Sequence, residues 1–280
     1  YPIPRDLLLA TDLGHRCDRA LDRAVTCARE WRASLLVLAV LEHDAVPNDA
    51  VRAERERQLS ESLGHELQVD DVELRARLSQ GDPAVEVAAL ERSDLIVTGI
   101  ARSSPLSDIL LGRTVDRVVR NAPAPVLVVR RRGRVGYRRI VVGTDLSDAS
   151  RKALLTALAW FPQVQVLLFH AYRTPMSGLV GDSEQARAQM YSAALDESQA
   201  FLDGGGVSDT DRERIAIHAE YGQPEQLLAD YERKVGADLV VLGSHGRGAM
   251  YDVLIGSTAR RVLERVDTDV LVVRAPKDDV

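Results

Sequence analysis

Aromatic residues are scarce in this sequence: three Phe, seven Tyr and two Trp make up 4% of 280 residues. Proteins that bind single strands by stacking on bases need exposed aromatics beside a basic stripe. Basic charge is also short, with 36 Lys and Arg against 42 Asp and Glu for a net charge of −6. Nucleic acid is therefore not an expected partner. Cysteine occurs twice, as Cys17 and Cys27, on what reads as one helix. Ten residues of helical rise separate the two by about 15 Å, beyond the roughly 7 Å between Cα atoms that a disulfide spans. Two free thiols fit a reducing compartment. The longest apolar run, Leu35 to Leu41, is far short of the roughly 20 residues that cross a bilayer, so no membrane partner is expected. The opening Tyr1-Pro-Ile-Pro-Arg5-Asp6 lacks the pattern of a secretory signal. The expected location is cytoplasmic.

Several chemical motifs are missing too. No G-x4-G-K-[ST] loop is present, so the P-loop machinery of phosphoryl transfer has no place. The histidines at 15, 43, 65, 170, 218 and 245 form no compact ligand spacing, and His15 with Cys17 lacks a second pair of metal ligands. No Ser-His-Asp arrangement can be assigned from sequence. No catalytic or metal-ligating residue is therefore expected.

What the sequence does contain is itself, twice. Leu7-Leu-Leu-Ala-Thr-Asp12 returns as Ile140-Val-Val-Gly-Thr-Asp145, Asp94-Leu-Ile-Val-Thr-Gly99 as Asp238-Leu-Val-Val-Leu-Gly243, and Val126-Leu-Val-Val-Arg130 unchanged as Val270-Leu-Val-Val-Arg274. The last two pairs are offset by 144 residues and the first by 133, a net insertion of eleven in the second copy. Much of that insertion is expected around Thr174 to Asp182, a turn-rich stretch. The predicted domains are 1–132 and 137–280, and the arginine- and glycine-rich Arg130 to Arg139 between them reads as a solvated linker. Length alone favours two domains.

Within each copy, short apolar runs alternate with amphipathic stretches, the pattern of βαβ units. Predicted strands are Leu7–Ala10, Leu35–Val40, Leu74–Leu78, Leu95–Thr98 and Val126–Val129 in the first copy. In the second they are Ile140–Val142, Val164–Phe169, Ile215–Ala219, Leu239–Leu242 and Val270–Val273. The expected fold class is α/β: two tandem doubly wound, open, parallel five-stranded sheets. Ser147 is the expected cap of a helix running to Trp160, and a second helix is expected over Ala259–Val266. The charged stretch Asn48 to Gln68 reads as a solvated helix face with local ion pairs. Gly81-Asp-Pro83 and Gly222-Gln-Pro224 read as turns that start helices.

In open parallel sheets, ligands bind beyond the carboxyl ends of the strands, where the connections switch sides. That rule selects Thr144-Asp145 and the stretch from Gly243, whose spacing is G-x2-G-x9-G-S-T through Gly246, Gly256, Ser257 and Thr258. Gly243 and Gly246 lack a Cβ, so backbone N–H groups can close on a phosphate. Gly256-Ser257-Thr258 opens a helix whose unpaired N–H groups attract anions. Asp145 is placed to accept hydrogen bonds from a ribose or base. His245 lies within the glycine loop, whereas His170, at a strand end, reads as a packing residue.

On these residues the chain resembles the universal stress protein A family, as a tandem-domain member, once per half and over essentially the whole length. The glycine pattern at 243, 246 and 256 with Ser257 is similar to the ATP-binding motif of the family's nucleotide-binding branch. The resemblance implies an adenine nucleotide alpha hydrolase-like fold. It also implies that ATP is bound in the second copy, with Mg2+ riding on the nucleotide. By the same resemblance Asp145 meets the ribose or base, the backbone of Ala171 holds the adenine edge and Leu242 and Gly243 lie beside the sugar. Gly246, Arg247, Gly256, Ser257 and Thr258 would hold the phosphates. The family's final strand is a dimer-forming edge, so the two copies are expected to pair across Val126–Val129 and Val270–Val273 as an internal pseudo-dimer; a further homodimer is left open. The first copy departs from the motif: Gly246 becomes Arg102 and Ser257 becomes Arg113, while Gly99, Gly112, Thr114 and Asp12 persist. Side chains at two close-approach positions crowd the phosphate path, so one nucleotide per chain is expected, in a stress-response regulatory protein. The alternatives are a non-ATP-binding scaffold or carrier of another small ligand, such as a hydrophobic metabolite, a slow ATPase or autophosphorylating enzyme, and an adenylating enzyme of related fold. The last is disfavoured because Thr144-Asp-Leu-Ser147 replaces a Ser-Gly-Gly-type loop.

Overall fold

A computed structural model describes residues 2–11, 18–41, 48–90, 93–100, 113–133, 135–173, 184–244 and 255–274. The chain divides between Gly136 and Tyr137 into two compact units. The first runs β1 (Asp6–Thr11), α1 (Asp18–Trp31), β2 (Ser34–Leu41), α2 (Asp49–Leu67), β3 (Leu74–Gln80), α3 (Pro83–Ala88), β4 (Leu95–Gly99), α4 (Arg113–Asn121) and β5 (Val126–Val129). Its strands lie in the order β3-β2-β1-β4-β5, all parallel. The second runs β6 (Arg139–Thr144), α5 (Asp148–Trp160), β7 (Gln165–Tyr172), α6 (Glu184–Asp203), α7 (Asp209–Arg212), β8 (Ile215–Tyr221), α8 (Pro224–Val235), β9 (Leu239–Gly243), α9 (Ser257–Arg265) and β10 (Asp269–Val273). Its order, β8-β7-β6-β9-β10, is the same topology, again parallel.

Parallel strands are covered on both faces, which is why they read as unbroken Val, Ile and Leu. In the first unit Leu8, Leu95, Ile96 and Val97 are fully buried, and in the second Val142, Leu168, Val240 and Val241 are. The duplication extends to polar detail. Asp94, just before β4, accepts the backbone N–H groups of Arg5 and Asp6 (2.8 and 3.1 Å), and Asp238, just before β9, accepts those of Arg138 and Arg139 (2.8 and 3.0 Å). One aspartate per copy thus pins the start of the central strand to its neighbour.

Strand register places the eleven-residue insertion. Leu35 sits where Val166 does, 131 residues on, and Leu74 where Ile215 does, 141 on. Leu95 sits where Leu239 does, 144 on. Ten residues therefore enter between the second and third strands, in the interval holding Thr174 to Asp182, which lies outside the described residues. Three more enter between the third and fourth strands, and two are lost between the first and second, which leaves the net eleven.

The solvated linker is corrected by the structure: the segment after β5 is laid along α1. The Arg19 guanidinium donates to the Arg130 carbonyl (3.2 Å), Arg132 pairs with Asp22 (2.6 Å) and Arg23 donates to the Val135 carbonyl (2.8 Å). Arg130 is itself buried. Charge within the segment did not reveal that α1 presents matching groups. Likewise α2 is more than a solvated face. Arg57 pairs with Glu54 and Glu61 along it, but Ser60 Oγ and Glu56 Oε1 accept the outward N–H groups of Ala76 and Leu78 on edge strand β3 (both 2.8 Å). Satisfying the edge in this way blocks it as a template for another chain.

Arg214, just before β8, ties the end of α5 to the sheet. It donates to the carbonyls of Leu158, Phe161 and Val164 (2.6, 2.9 and 2.9 Å) and pairs with Asp211 (2.7 Å). Arg214→Met keeps an apolar stem and removes every donor, so it is expected to cost about 2 kcal/mol in chemical denaturation, since partly buried acceptors lose their partner. The cost depends on pH. Burial pulls the Asp211 carboxyl upward, but hydrogen bonds from Ser208 and Arg214 outweigh it and hold the group below its ordinary value. A carboxyl lowered in the folded state contributes stability above its unfolded pKa and loses it as pH falls through the folded one. The gap between wild type and variant should therefore narrow in acid; a constant gap would contradict this account.

Candidate functional site

The switch point of the second unit lies between β6 and β9, which run side by side with Val142 opposite Val241. Their carboxyl ends bring Thr144 and Asp145 beside Gly243. Thr144 is buried and organises the turn into α5: its Oγ1 accepts the Leu146 N–H (2.9 Å) and lies 2.8 Å from Ser150 Oγ. His170 Nδ1 lies 3.1 Å from the Thr144 carbonyl, and the Nδ1–H tautomer donates there. The histidine expected to be a packing residue is buried and hydrogen-bonded to the strand end. Asp145 Oδ1 accepts both the N–H and the hydroxyl of Ser147 (3.2 and 2.5 Å). Ser147 in turn caps α5 through the Ser150 N–H (3.3 Å). Leu146 takes a left-handed φ of 62°, rare for a branched side chain.

This turn leaves little for an anion. Leu146, Ser147 and Ser150 have their N–H groups occupied by side chains of the same turn, and Asp148 adds negative charge to the first turn of α5. The start of α9 is built the other way. Gly256 is its N-cap and makes no side-chain capping bond, the first turn holds no acidic residue, and Ser257 and Thr258 are exposed there. The helix begins two residues earlier than expected, so both hydroxyls sit within its first turn. Its position is fixed by backbone: Gly256 N–H donates to the Ser244 carbonyl (2.7 Å), and Ser244 N–H donates to Val273 at the end of β10 (2.8 Å). The N-terminus of α9 therefore stands at the carboxyl end of β9.

Gly243 has a packing role that the glycine spacing did not disclose. A Cβ there would stand 2.7 Å from the carbonyl carbon and oxygen of Ala149 and 3.0 Å from the Ser150 nitrogen. The missing side chain lets the first turn of α5 close on β9. Leu242 is buried behind it, and Ala171 is half-buried on β7 opposite Glu220. Beside Ala171, burial and then the neighbouring Tyr191, Glu220 and Tyr221 push the Tyr172 hydroxyl up. His245, Gly246 and Arg247 lie outside the described residues, as do Asp12, Arg102 and Gly112 of the first copy.

Ser150 and Ser244 were not singled out from the sequence. Ser150 stands three residues after the capping Ser147, and Ser244 lies inside the glycine motif, so both signals were present. The first unit differs at the matching places: Ile100 replaces Ser244, and the first turn of α4 carries Asp116 where α9 carries Arg260. Thr114 remains exposed at the start of α4.

Two open, doubly wound parallel sheets in tandem, each with its topological switch point between the first and fourth strands, define the class of protein. The chain matches the Universal stress protein family twice, over residues 4–130 and 136–274, and belongs to it. The universal stress protein E homolog of Haemophilus influenzae is 22% identical, with 98% of this chain and 99% of that one covered. Universal stress protein MJ0531 of Methanocaldococcus jannaschii is 28% identical over 53% of this chain and 89% of its own length. Among solved structures, a functionally unknown protein from Pseudomonas aeruginosa PAO1 superimposes with a TM-score of 0.71 at 20% identity, covering 98% of this chain and 93% of that one. A universal stress protein from Archaeoglobus fulgidus gives 0.67 at 21% identity, covering 96% and 98%. At such identities the structures speak for the fold alone.

Proposed function

We propose that the second unit binds ATP, with Mg2+ carried on the phosphates, and that the chain is a cytoplasmic stress-response regulator whose first unit is a degenerate partner. The observation that carries this reading is the contrast between two helix starts at one crevice. The start of α5 is satisfied by Thr144, Asp145 and Ser147, whereas at the start of α9 the N–H groups of Ser257 and Thr258 meet no acceptor among the described residues, both hydroxyls are exposed and the first turn holds no acidic residue. Phosphates belong at the second. Asp145, half-buried at the strand end, supplies the acceptor for a ribose or base. No group of three His, Cys, Asp or Glu that could hold a metal occurs among the described residues, so the reading gives Mg2+ its ligands from the phosphates. No described helix is long and apolar enough to cross a membrane.

The first unit supports the asymmetry through Asp116, which sets a carboxylate, paired with Arg120 (2.9 Å), in the first turn of α4, alongside the arginines at 102 and 113 in sequence. Calorimetry with Mg-ATP tests the reading. Wild type should bind about one nucleotide per chain, and Gly246→Arg, which copies the first repeat, should give no binding heat because a side chain enters the glycine approach. A silent wild type would overturn the assignment, and two equivalents bound would overturn the asymmetry.

A further inference from the structure

The two units differ at the amino ends of their central strands. In the second, Arg139 opens β6 and its guanidinium donates to the carbonyl of Val235, the last residue of the twelve-residue α8 (2.9 Å). Helix and strand meet over that edge. In the first, Asp6 holds the position of Arg139, since each opens its central strand and gives its N–H to the aspartate before the fourth strand. The helix above it, α3, stops after six residues, and the whole crossover from β3 to β4 is three residues shorter than that from β8 to β9. What is left in the first unit is a cavity of about 580 Å3, within the range of small-molecule sites.

Its chemistry points one way. Leu36, Ala89 and Leu90 keep apolar surface exposed along it, over the buried Leu7 and Leu35. Asp6 Oδ1 accepts the Ser34 hydroxyl (2.8 Å), and the Asp6 carboxylate pairs with no cation among the described residues. Among the described residues that line the cavity the one guanidinium, Arg75, is engaged by Glu73 (2.5 Å). Among those residues an anionic ligand would meet two carboxylates against one occupied arginine, and an uncharged apolar one would leave Asp6 without a counter-charge. We propose that this cavity binds a small primary ammonium ion carried on an apolar body, with the ammonium on Asp6 and the body against Leu36, Ala89 and Leu90. The inference does not rest on nucleotide binding by the second unit.

The full chain titrated with 2-phenylethylammonium, by calorimetry and ligand-observed NMR, tests it. Saturable binding is expected, with 2-phenylethanol and 3-phenylpropanoate each weaker by about tenfold or more, the worth of a charge-assisted hydrogen bond. Asp6→Asn, an exposed and nearly isosteric change, should weaken the ammonium by a similar factor, and Ala89→Trp should fill the cavity and abolish binding; circular dichroism checks that both variants fold. No saturable binding by wild type, or wild-type affinity in either folded variant, would overturn the proposal.

Discussion

Gly243→Ala should cost about 3 kcal/mol of stability in the second unit, near the upper end for overpacking, and should abolish nucleotide binding with it. The added methyl would stand 2.7 Å from the carbonyl carbon and oxygen of Ala149. These are backbone atoms in the first turn of α5, so no rotamer relieves the contact. Either the turn moves off β9 or the end of β9 bends. Both routes disturb the hydrogen bonds that tie Ser150 to Thr144 and Ser147 to Asp145, and so the acceptor proposed to meet the sugar. Gly205→Ala is the control. Gly205 has a φ of 105° and nothing within 4 Å of an added Cβ, so its cost is conformational alone, about 1 kcal/mol. Chemical denaturation of the two variants separates steric from conformational cost; equal losses would sink the steric account.

The same glycine marks the boundary of what could be read from sequence. The strands were legible because each is a run of Val, Ile or Leu buried on both faces, and Val126–Val129 coincides with β5 to the residue. The other strands extend one to three residues beyond the apolar run at one end or both, as at Arg139, Thr144 and Tyr221, where the backbone is paired outside the hydrophobic signal, while β7 begins at Gln165, one residue after the predicted Val164. The repeat supplied the topology, since two copies of one order imply one fold. Contacts across the chain were not legible. Nothing near Arg23 in sequence announces that its guanidinium reaches the Val135 carbonyl, and nothing in Arg-Ala-Glu-Arg-Glu-Arg separates Glu56, which reaches β3, from the surface pairs around Arg57.

At the site, sequence spacing assigned Gly243 a phosphate-approach role and Gly256 a place at a helix start. Gly243 answers to helix packing, whereas Gly256 serves as a helix cap with an ordinary φ of −58°. The identity of the anion-receptive helix depended on a comparison that motifs do not encode. It required knowing that Thr144 Oγ1, Asp145 Oδ1 and Ser147 Oγ each accept an N–H group of their own turn, which only the path of the chain around Leu146 reveals.

Ser257→Asp should separate stability from binding by moving them in opposite directions. Ser257 is the first residue of α9, exposed, in a turn with no acidic residue. A carboxylate there interacts favourably with the helix dipole and the unpaired N–H groups, so the folded protein should gain about 0.3–1 kcal/mol. That carboxylate also occupies the place proposed for phosphate. Two unit negative charges about 5 Å apart repel by roughly 3 kcal/mol at an effective dielectric near 20, so Mg-ATP affinity should fall at least about a hundredfold. Ser257→Ala, which removes only a hydroxyl donor, should lower affinity by about tenfold or less. Thermal denaturation and calorimetry on the same three proteins read both quantities. A destabilised Ser257→Asp would mean that the helix start is already occupied by protein groups, and undiminished nucleotide affinity in that variant would remove α9 from the phosphate site. A more stable protein that no longer binds nucleotide is the result that only an open, anion-receptive helix start produces.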